Sequence, residues 1–141
     1  MVHALRKAAS SLNPGGVILE VHDLVDPPRI EVHNNQSEIF AGQLLSDNNF
    51  ENQRLADQAI GQVIEDGFLL SDQALVYENY LRADTFDSLV DWLEETWESA
   101  YVPQGTRQKV IDLVAQSGEE SEVVLRMVSR LMELKPAANI T

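Results

Sequence analysis

Two ionisable side chains, His22 and Asp23, directly follow the apolar run Val17–Val21. The run is β-branched and nearly all apolar, which predicts a strand covered on both faces. In open α/β sheets, ligands bind beyond the carboxyl ends of parallel strands, where an imidazole and a carboxylate can act as substrate-side acid and base. A solvated strand end at which Asp23 begins a turn is the commoner arrangement, and the sequence leaves both interpretations open.

A second group of polar candidates lies in a predicted hairpin. Arg29–His33 alternates polar and apolar residues, Asn34–Ser37 has turn chemistry, and Glu38–Gly42 can return as a second strand. Arg29 and His33 could contact a substrate there. The plainer interpretation is an exposed hairpin whose polar residues point outward.

Tyr77 and Tyr80 lie in the predicted strand Ala74–Leu81. They could contact a substrate, although aromatic strand residues more often belong to a core or to its rim. No other group of residues in the sequence has the types and spacing of a known catalytic or metal-binding motif. The sequence has no serine elbow, no phosphate-binding loop and no histidine pair at metal-ligand spacing on one predicted helix.

A helix and a tight turn must position the first of these residues. Apolar residues recur at helical spacing over Val2–Leu12, which predicts a helix. Pro14 cannot continue that helix, because it lacks an N–H and clashes with the preceding turn. Gly15 and Gly16 then supply the backbone angles of a tight reversal before the strand.

This unit resembles the middle of a class I S-adenosylmethionine-dependent methyltransferase. The helix, the turn Leu12–Gly16 and the apolar strand are similar to the helix before that family's fifth strand, the turn and the fifth strand. Gly67–Leu70, with the stretch that holds Tyr77 and Tyr80, is similar to the sixth strand. An acidic helix that begins near Thr85 is similar to the last helical crossover. The resemblance therefore extends over most of the chain.

The resemblance implies an α/β fold with a partial Rossmann-like methyltransferase sheet, whose strands correspond to the family's fifth, seventh and sixth, with flanking helices. It also bears on Glu122–Leu134, whose apolar pattern fits a helix well and also permits a long strand. Because the family's seventh strand is an antiparallel partner of the sixth, we predict a strand there. Residues 1–141 then form a single domain, with a possible hairpin insertion over 29–43.

The same resemblance implies the substrate-side, C-terminal half of such an enzyme. The family's cofactor loop, a Gly-rich turn after the first strand with an acidic residue at the end of the second, has no counterpart in this sequence. The chain alone is therefore expected to bind no cofactor and to be inactive. It would use S-adenosylmethionine only when completed by a cofactor-binding half, such as one encoded upstream. The alternative function is a non-catalytic binding or assembly domain derived from a methyltransferase.

A partner follows from the same resemblance. The family's fifth strand has a neighbour on each side, and without the fourth strand Val17–Val21 has an open edge with apolar surface beside it. Glu20 is the only charged residue in this run, and an uncharged edge strand is a template for pairing. We therefore expect a homodimer joined through Val17–Val21.

Composition restricts the other possibilities. The net charge of −13 opposes binding to nucleic acids and to anionic membranes. The apolar runs fall far below the roughly 18 residues of a membrane helix, and no signal-peptide pattern is present. There is no cysteine, hence no disulfide and no thiolate metal site. These features are compatible with a cytoplasmic protein. The segment Ala137–Thr141 is expected to fray.

Overall fold

The computed structural model describes residues 1–118 and 120–137. Its helices are α1 (Val2–Ser11), α2 (Glu51–Glu65), α3 (Phe86–Thr96) and α4 (Gln104–Ser117). Its strands are β1 (Ile18–Asp23), β2 (Arg29–His33), β3 (Glu38–Gln43), β4 (Leu45–Ser46), β5 (Leu69–Ala83), β6 (Ala100–Tyr101) and β7 (Glu122–Pro136). The predicted α/β class is thus confirmed, while the fraying expected at 138–141 lies outside the described residues.

The principal sheet is arranged about β7, which pairs with β1, β2 and β5. β1 is antiparallel to β7, with Ile18 opposite Leu134 and Asp23 opposite Ser129. β2 is antiparallel to β7 and also to β3. β4 and β6 form a separate two-stranded sheet. The strand predicted over 122–134 is therefore confirmed, and the helical alternative for this segment is wrong.

The described chain divides into two compact units. The first unit comprises Met1–Val25, Glu51–Tyr77 and the chain from Val128 onward. The second comprises Asp26–Phe50 and Glu78–Met127. Each unit has a core and a polar cluster of its own, and each is described separately below.

In the first unit the predicted helix and turn are confirmed. The amide of Gly16 donates to the carbonyl oxygen of Asn13 over 2.8 Å, and Gly15 has φ of 81°. Proline at the second position and a positive φ at the third are the features of a type II turn. Beyond the turn, helices and strands bury one apolar cluster, which consists of Leu5, Ala9, Ile60, Val63, Leu69, Met132 and Leu134.

The prediction that Val17–Val21 is covered on both faces is wrong. Side chains alternate between the two faces of a strand, and within Val17–Val21 only Ile18 and Glu20 are partly buried. Leu19 is 65% exposed and Val21 is 57% exposed. An apolar run identifies a strand from local composition, but a second covered face needs a covering element, and none lies over Leu19 and Val21 in residues 1–118 and 120–137.

In the second unit the predicted hairpin is confirmed as β2 and β3. The expectation that its polar residues point outward holds for Arg29 and Glu38 but is wrong for Glu31 and His33. Glu31 and His33 are buried, with 3% and 6% of their surfaces exposed. The reason is that β2 lies between two strands, β3 and β7, whereas an isolated hairpin would have an open edge. Ile30 and Val32 on the same strand contribute to the core of this unit.

Two further predictions concern α3 and β5. Thr85 caps α3, since its hydroxyl accepts a hydrogen bond from the amide of Ser88. β5 is longer than the predicted strand Ala74–Leu81, since it runs without interruption over Leu69–Ala83.

Candidate functional site

The first polar cluster belongs to the first unit and is named here the Glu20 cluster. It consists of Glu20, His22, Asp57 and Arg130. Glu20 and His22 are two residues apart on β1 and therefore share a face. The register of β1 on β7 places Arg130 opposite His22, and α2 supplies Asp57. Three elements thus converge on one imidazole.

Carboxylates lie at both nitrogens of the His22 ring. Nδ1 is 2.7 Å from Oε1 of Glu20, and Nε2 is 3.6 Å from Oδ1 of Asp57. The first distance is a hydrogen bond and the second is too long to be one. Arg130 donates to the same Asp57 oxygen over 2.6 Å. A carboxylate that holds Nδ1–H leaves Nε2 as the position for proton exchange, the arrangement of a general base.

The Glu20 cluster contains buried polar atoms that have no hydrogen-bond partner in the described chain. They are Oε2 of Glu20, Nε2 of His22 and Nε of Arg130. Buried polar atoms are rarely left without a partner, so each such atom calls for an explanation. An acceptor, a donor and an imidazole nitrogen together can receive a small polar group or a proton. This cluster is therefore the better candidate for chemistry.

The second cluster belongs to the second unit and is named the Glu31 cluster. It consists of Arg29, Glu31, His33, Glu38, Glu78, Tyr80 and Arg126. Nη2 of Arg126 lies 3.0 Å from Oε2 of Glu31 and 3.3 Å from Oε2 of Glu38, while its Nη1 lies 3.4 Å from Oε2 of Glu78. Strands β2, β3 and β5 thus each direct one carboxylate to a single guanidinium.

Glu31 is the most buried charge of its cluster. Burial alone would raise its pKa, but the hydrogen bond with His33 over 2.7 Å and the positive charge of Arg126 outweigh that effect. The pKa of Glu31 is therefore lowered, and the carboxylate is ionised at neutral pH. Tyr80 donates to Glu78 over 2.8 Å, and that hydrogen bond raises the pKa of the exposed phenol.

Three residues of the Glu31 cluster have the chemistry of metal ligands. One atom each from Glu31, His33 and Glu38 lies within 4.8 Å of the others. Imidazole and carboxylate suit zinc and related cations. The guanidinium of Arg126, however, already contacts both carboxylates, so a cation is in place without a metal. The described ion pairs of Arg126 all join residues of this cluster, which favours a role in holding strands together.

The structure separates the predicted site residues. His22 is in the Glu20 cluster, while Arg29, His33 and Tyr80 are in the Glu31 cluster. Asp23 neighbours His22 in the chain, yet its carboxylate accepts a hydrogen bond from the hydroxyl of Ser129.

Tyr77 has no hydrogen bond or ring contact with either cluster among the described residues.

The turn Pro14–Gly16 lines a cavity of about 770 Å³ together with the end of α1 and Lys135. Lys135 is itself paired with Asp72 and Glu133.

Sequence reasoning missed the other charged members of both clusters. These are Glu20, Glu31, Glu38, Asp57, Glu78, Arg126 and Arg130. A signal was present, because the tripeptide Glu-Val-His occurs at 20–22 and again at 31–33. In a strand, that spacing places each glutamate and histidine on one face.

Comparison with known protein families, with curated proteins and with solved structures finds no match to this chain. Among the described helices, none has the length and apolar character needed to cross a membrane.

Proposed function

We propose that this chain is the substrate-side part of a class I S-adenosylmethionine-dependent methyltransferase fold. The observation that carries the proposal is the position of β7, the last strand, which pairs with both β1 and β5 and is antiparallel to β1. In that family the seventh strand has the fifth and sixth as neighbours and runs antiparallel. β1, β7 and β5 would correspond to the fifth, seventh and sixth strands.

Two further features of the first unit support this proposal. The connection of α1 to β1 by the turn Asn13–Gly16 is similar to the family's connection into its fifth strand. β1 also has no strand neighbour on its second edge among the described residues, and Leu19 and Val21 are exposed beside that edge. A fourth strand and its covering helices would complete the sheet at this position.

We assign acid–base chemistry in the completed enzyme to Glu20 and His22. Transfer of a methyl group to an oxygen or nitrogen acceptor releases the proton of that acceptor, and a base must receive it. The Glu20–His22 hydrogen bond orients the ring so that Nε2 can receive the proton. In the completed enzyme, His22→Gln should retain cofactor binding and lower methyl transfer by roughly 100-fold, the lower range for general-base catalysis.

The alternative is a non-catalytic assembly domain derived from a methyltransferase. The exposed Leu19 and Val21 favour it, because an uncovered apolar surface beside an open edge is typical of an interaction site. The two functions differ in whether the partner brings a cofactor site. A coding sequence immediately upstream that contains the Gly-rich cofactor loop would favour the enzyme.

Calorimetric titration with S-adenosylmethionine tests the proposal. The purified chain should release no binding heat, since the sequence lacks the cofactor loop. The same chain co-purified with an upstream cofactor-binding half should bind the cofactor with an affinity in the micromolar range or tighter. Binding by the chain alone, or a stable complex of the two halves that binds no cofactor, would contradict the proposal.

A further inference from the structure

The strongest unassigned feature of the first unit is the second edge of β1. Among the described strands, β1 pairs with β7 alone, so the N–H and C=O groups on its other edge have no strand partner. Its exposed side chains, Leu19 and Val21, are both apolar. Proteins usually protect such an edge with charges, proline or a bulge, and the exposed positions of β1 have none of these.

β5 also pairs with a single strand, β7, and its exposed residues in the first unit are of mixed character. Within the first unit β5 exposes the polar residues Ser71, Asp72 and Gln73, of which Asp72 is paired with Lys135, and also the apolar residues Leu70, Leu75 and Val76. Polar and charged side chains of this kind oppose the addition of another strand. β1 differs from β5 in that both of its exposed residues are apolar, and no polar or charged side chain interrupts them.

Local charge does not oppose self-association at this edge. The chain carries a net charge of −13, but the charges beside the apolar side chains of β1 are paired with each other. Lys135 contacts both Asp72 and Glu133, and these hydrogen bonds raise the pKa of its ammonium group. More distant charges are screened beyond about 10 Å at moderate salt.

Leu19, Leu75 and Leu131 also border a shallow apolar depression of about 390 Å³ in the same unit. The surface beside the open edge is thus mainly apolar, and Lys135, Asp72 and Glu133 together leave it one net negative charge. A nucleic acid or an anionic membrane would require a basic surface at this place. A second apolar strand with an open edge fits it better.

We propose that a second copy of this chain occupies this edge, so that the two β1 strands pair antiparallel across a two-fold axis. Two registers of this pairing, with the two-fold axis at Glu20 or at Leu19, differ in which side chains they bring opposite each other. If the axis passes through Glu20, it places two carboxylates directly opposite each other, which is destabilising. If the axis passes through Leu19, it places Leu19 against its own copy and Val17 against Val21. That register matches apolar side chains on the exposed face, and it is the one we assign.

The inference rests on the open edge of β1 and not on the proposed function. It has one consequence for that function, since a cofactor-binding half that adds a fourth strand would compete with the second copy for the same edge. Loss of the dimer on addition of that half would support both proposals. A dimer without any cofactor-binding partner would support this inference alone.

Sedimentation velocity of the purified chain provides the first test. The wild type should have about twice the chain mass of 15.8 kDa, and Leu19→Lys should be monomeric with an unchanged circular dichroism spectrum. The matched control is Ile111→Lys, because Ile111 is an exposed apolar residue of the second unit, on α4. This control should remain dimeric. A monomeric wild type, or an undiminished Leu19→Lys dimer, would overturn the inference.

Disulfide trapping tests the register and does not depend on how the lysine variant folds. The chain has no cysteine, so Leu19→Cys introduces a single thiol. Directly opposed residues of antiparallel strands have Cβ atoms about 4.5–5.5 Å apart, close enough for a disulfide after small adjustment. Leu19→Cys should therefore crosslink under mild oxidation at least tenfold faster than Ile111→Cys. Equal rates would contradict the assigned register and the interface.

Discussion

β1 and β2 carry the same tripeptide, Glu-Val-His, yet the two strands have different surroundings. Each is antiparallel to its own part of β7, and each has a glutamate–histidine contact of 2.7 Å. β2 also has β3 on its second edge, whereas β1 has no second strand among the described residues. The middle valine is fully buried in β2, as Val32, and 57% exposed in β1, as Val21.

The difference shows that surroundings decide what a strand motif does. In the Glu31 cluster, neighbouring strands bring Glu38 and Glu78 to Arg126, so every carboxylate there has a cation. In the Glu20 cluster Asp57 and Arg130 are added, and three buried polar atoms have no hydrogen-bond partner in the described chain, against one, Nε of Arg126, in the Glu31 cluster. The first arrangement stabilises a fold, and the second leaves groups available for a proton or a ligand.

The largest expected effect comes from the two valines. Val32→Lys buries an unpaired ammonium and should prevent folding, a cost of more than about 4 kcal/mol. Val21→Lys places the same group in solvent and should change the stability of the monomer by less than about 0.5 kcal/mol. Urea denaturation followed by circular dichroism, in the monomeric Leu19→Lys background, measures both. Similar losses would show that β1 is covered as β2 is.

The two arginines of β7 should differ by a smaller amount. Arg126→Met leaves the Glu31 carboxylate, only 4% exposed, without its principal cation and should cost about 3 kcal/mol. Arg130→Met frees Asp57, whose side chain is 48% exposed, and should cost about 1 kcal/mol. Urea midpoints at pH 7 give the comparison. Equal costs would mean that the two clusters contribute alike to stability.

The turn that leads into β1 should be moderately sensitive to substitution. Gly15 has the positive φ, while a Cβ on Gly16 would lie 3.0 Å from the carbonyl oxygen of Asn13. Gly16→Val should therefore cost about 2 kcal/mol, measured as a melting temperature several degrees lower. Gly61→Ala is the control, because nothing lies within 4 Å of its Cβ position in α2, and it should stabilise by up to about 1 kcal/mol. An unchanged melting curve for Gly16→Val would contradict the description of Asn13–Gly16 as a tight type II turn.

The smallest expected effect is the pH dependence of the Glu31 cluster. The lowered pKa of Glu31 means that folding favours the ionised carboxylate. Its contribution is complete above the ordinary pKa of glutamate, about 4.3, and is lost as the pH falls through the folded-state value. Glu31→Gln should cost about 1 kcal/mol at pH 7 and make the stability between pH 5 and about pH 3 less steep. If Glu31→Gln left the dependence of stability on pH unchanged, the lowered pKa of Glu31 would be contradicted.

Much of the fold could be predicted from sequence, because its signals are local. The helix over Val2–Ser11, the turn at Gly15 and the hairpin β2–β3 depend on residues within a few positions of each other. The strand over Glu122–Pro136 was ambiguous in periodicity, and the family resemblance favoured the correct alternative.

The polar clusters could not be predicted in the same way. Glu31 and Arg126 are 95 residues apart in the chain, and their contact depends on the register of β2 on β7. Burial of Glu31 and exposure of Leu19 follow from which elements lie beside each strand. An apolar pattern indicates that a strand has an apolar face, but it does not indicate which element covers that face.

Amide hydrogen exchange along β1 and β2 tests most directly the central claim that β1 is an open edge. In the monomeric Leu19→Lys variant, amides throughout β2 should exchange slowly, since strands lie on both its edges. Alternate amides of β1, those that point away from β7, should exchange rapidly, and they should become protected in the wild-type dimer. Uniformly slow exchange along β1 in the monomeric variant, or identical exchange in both proteins, would contradict the account.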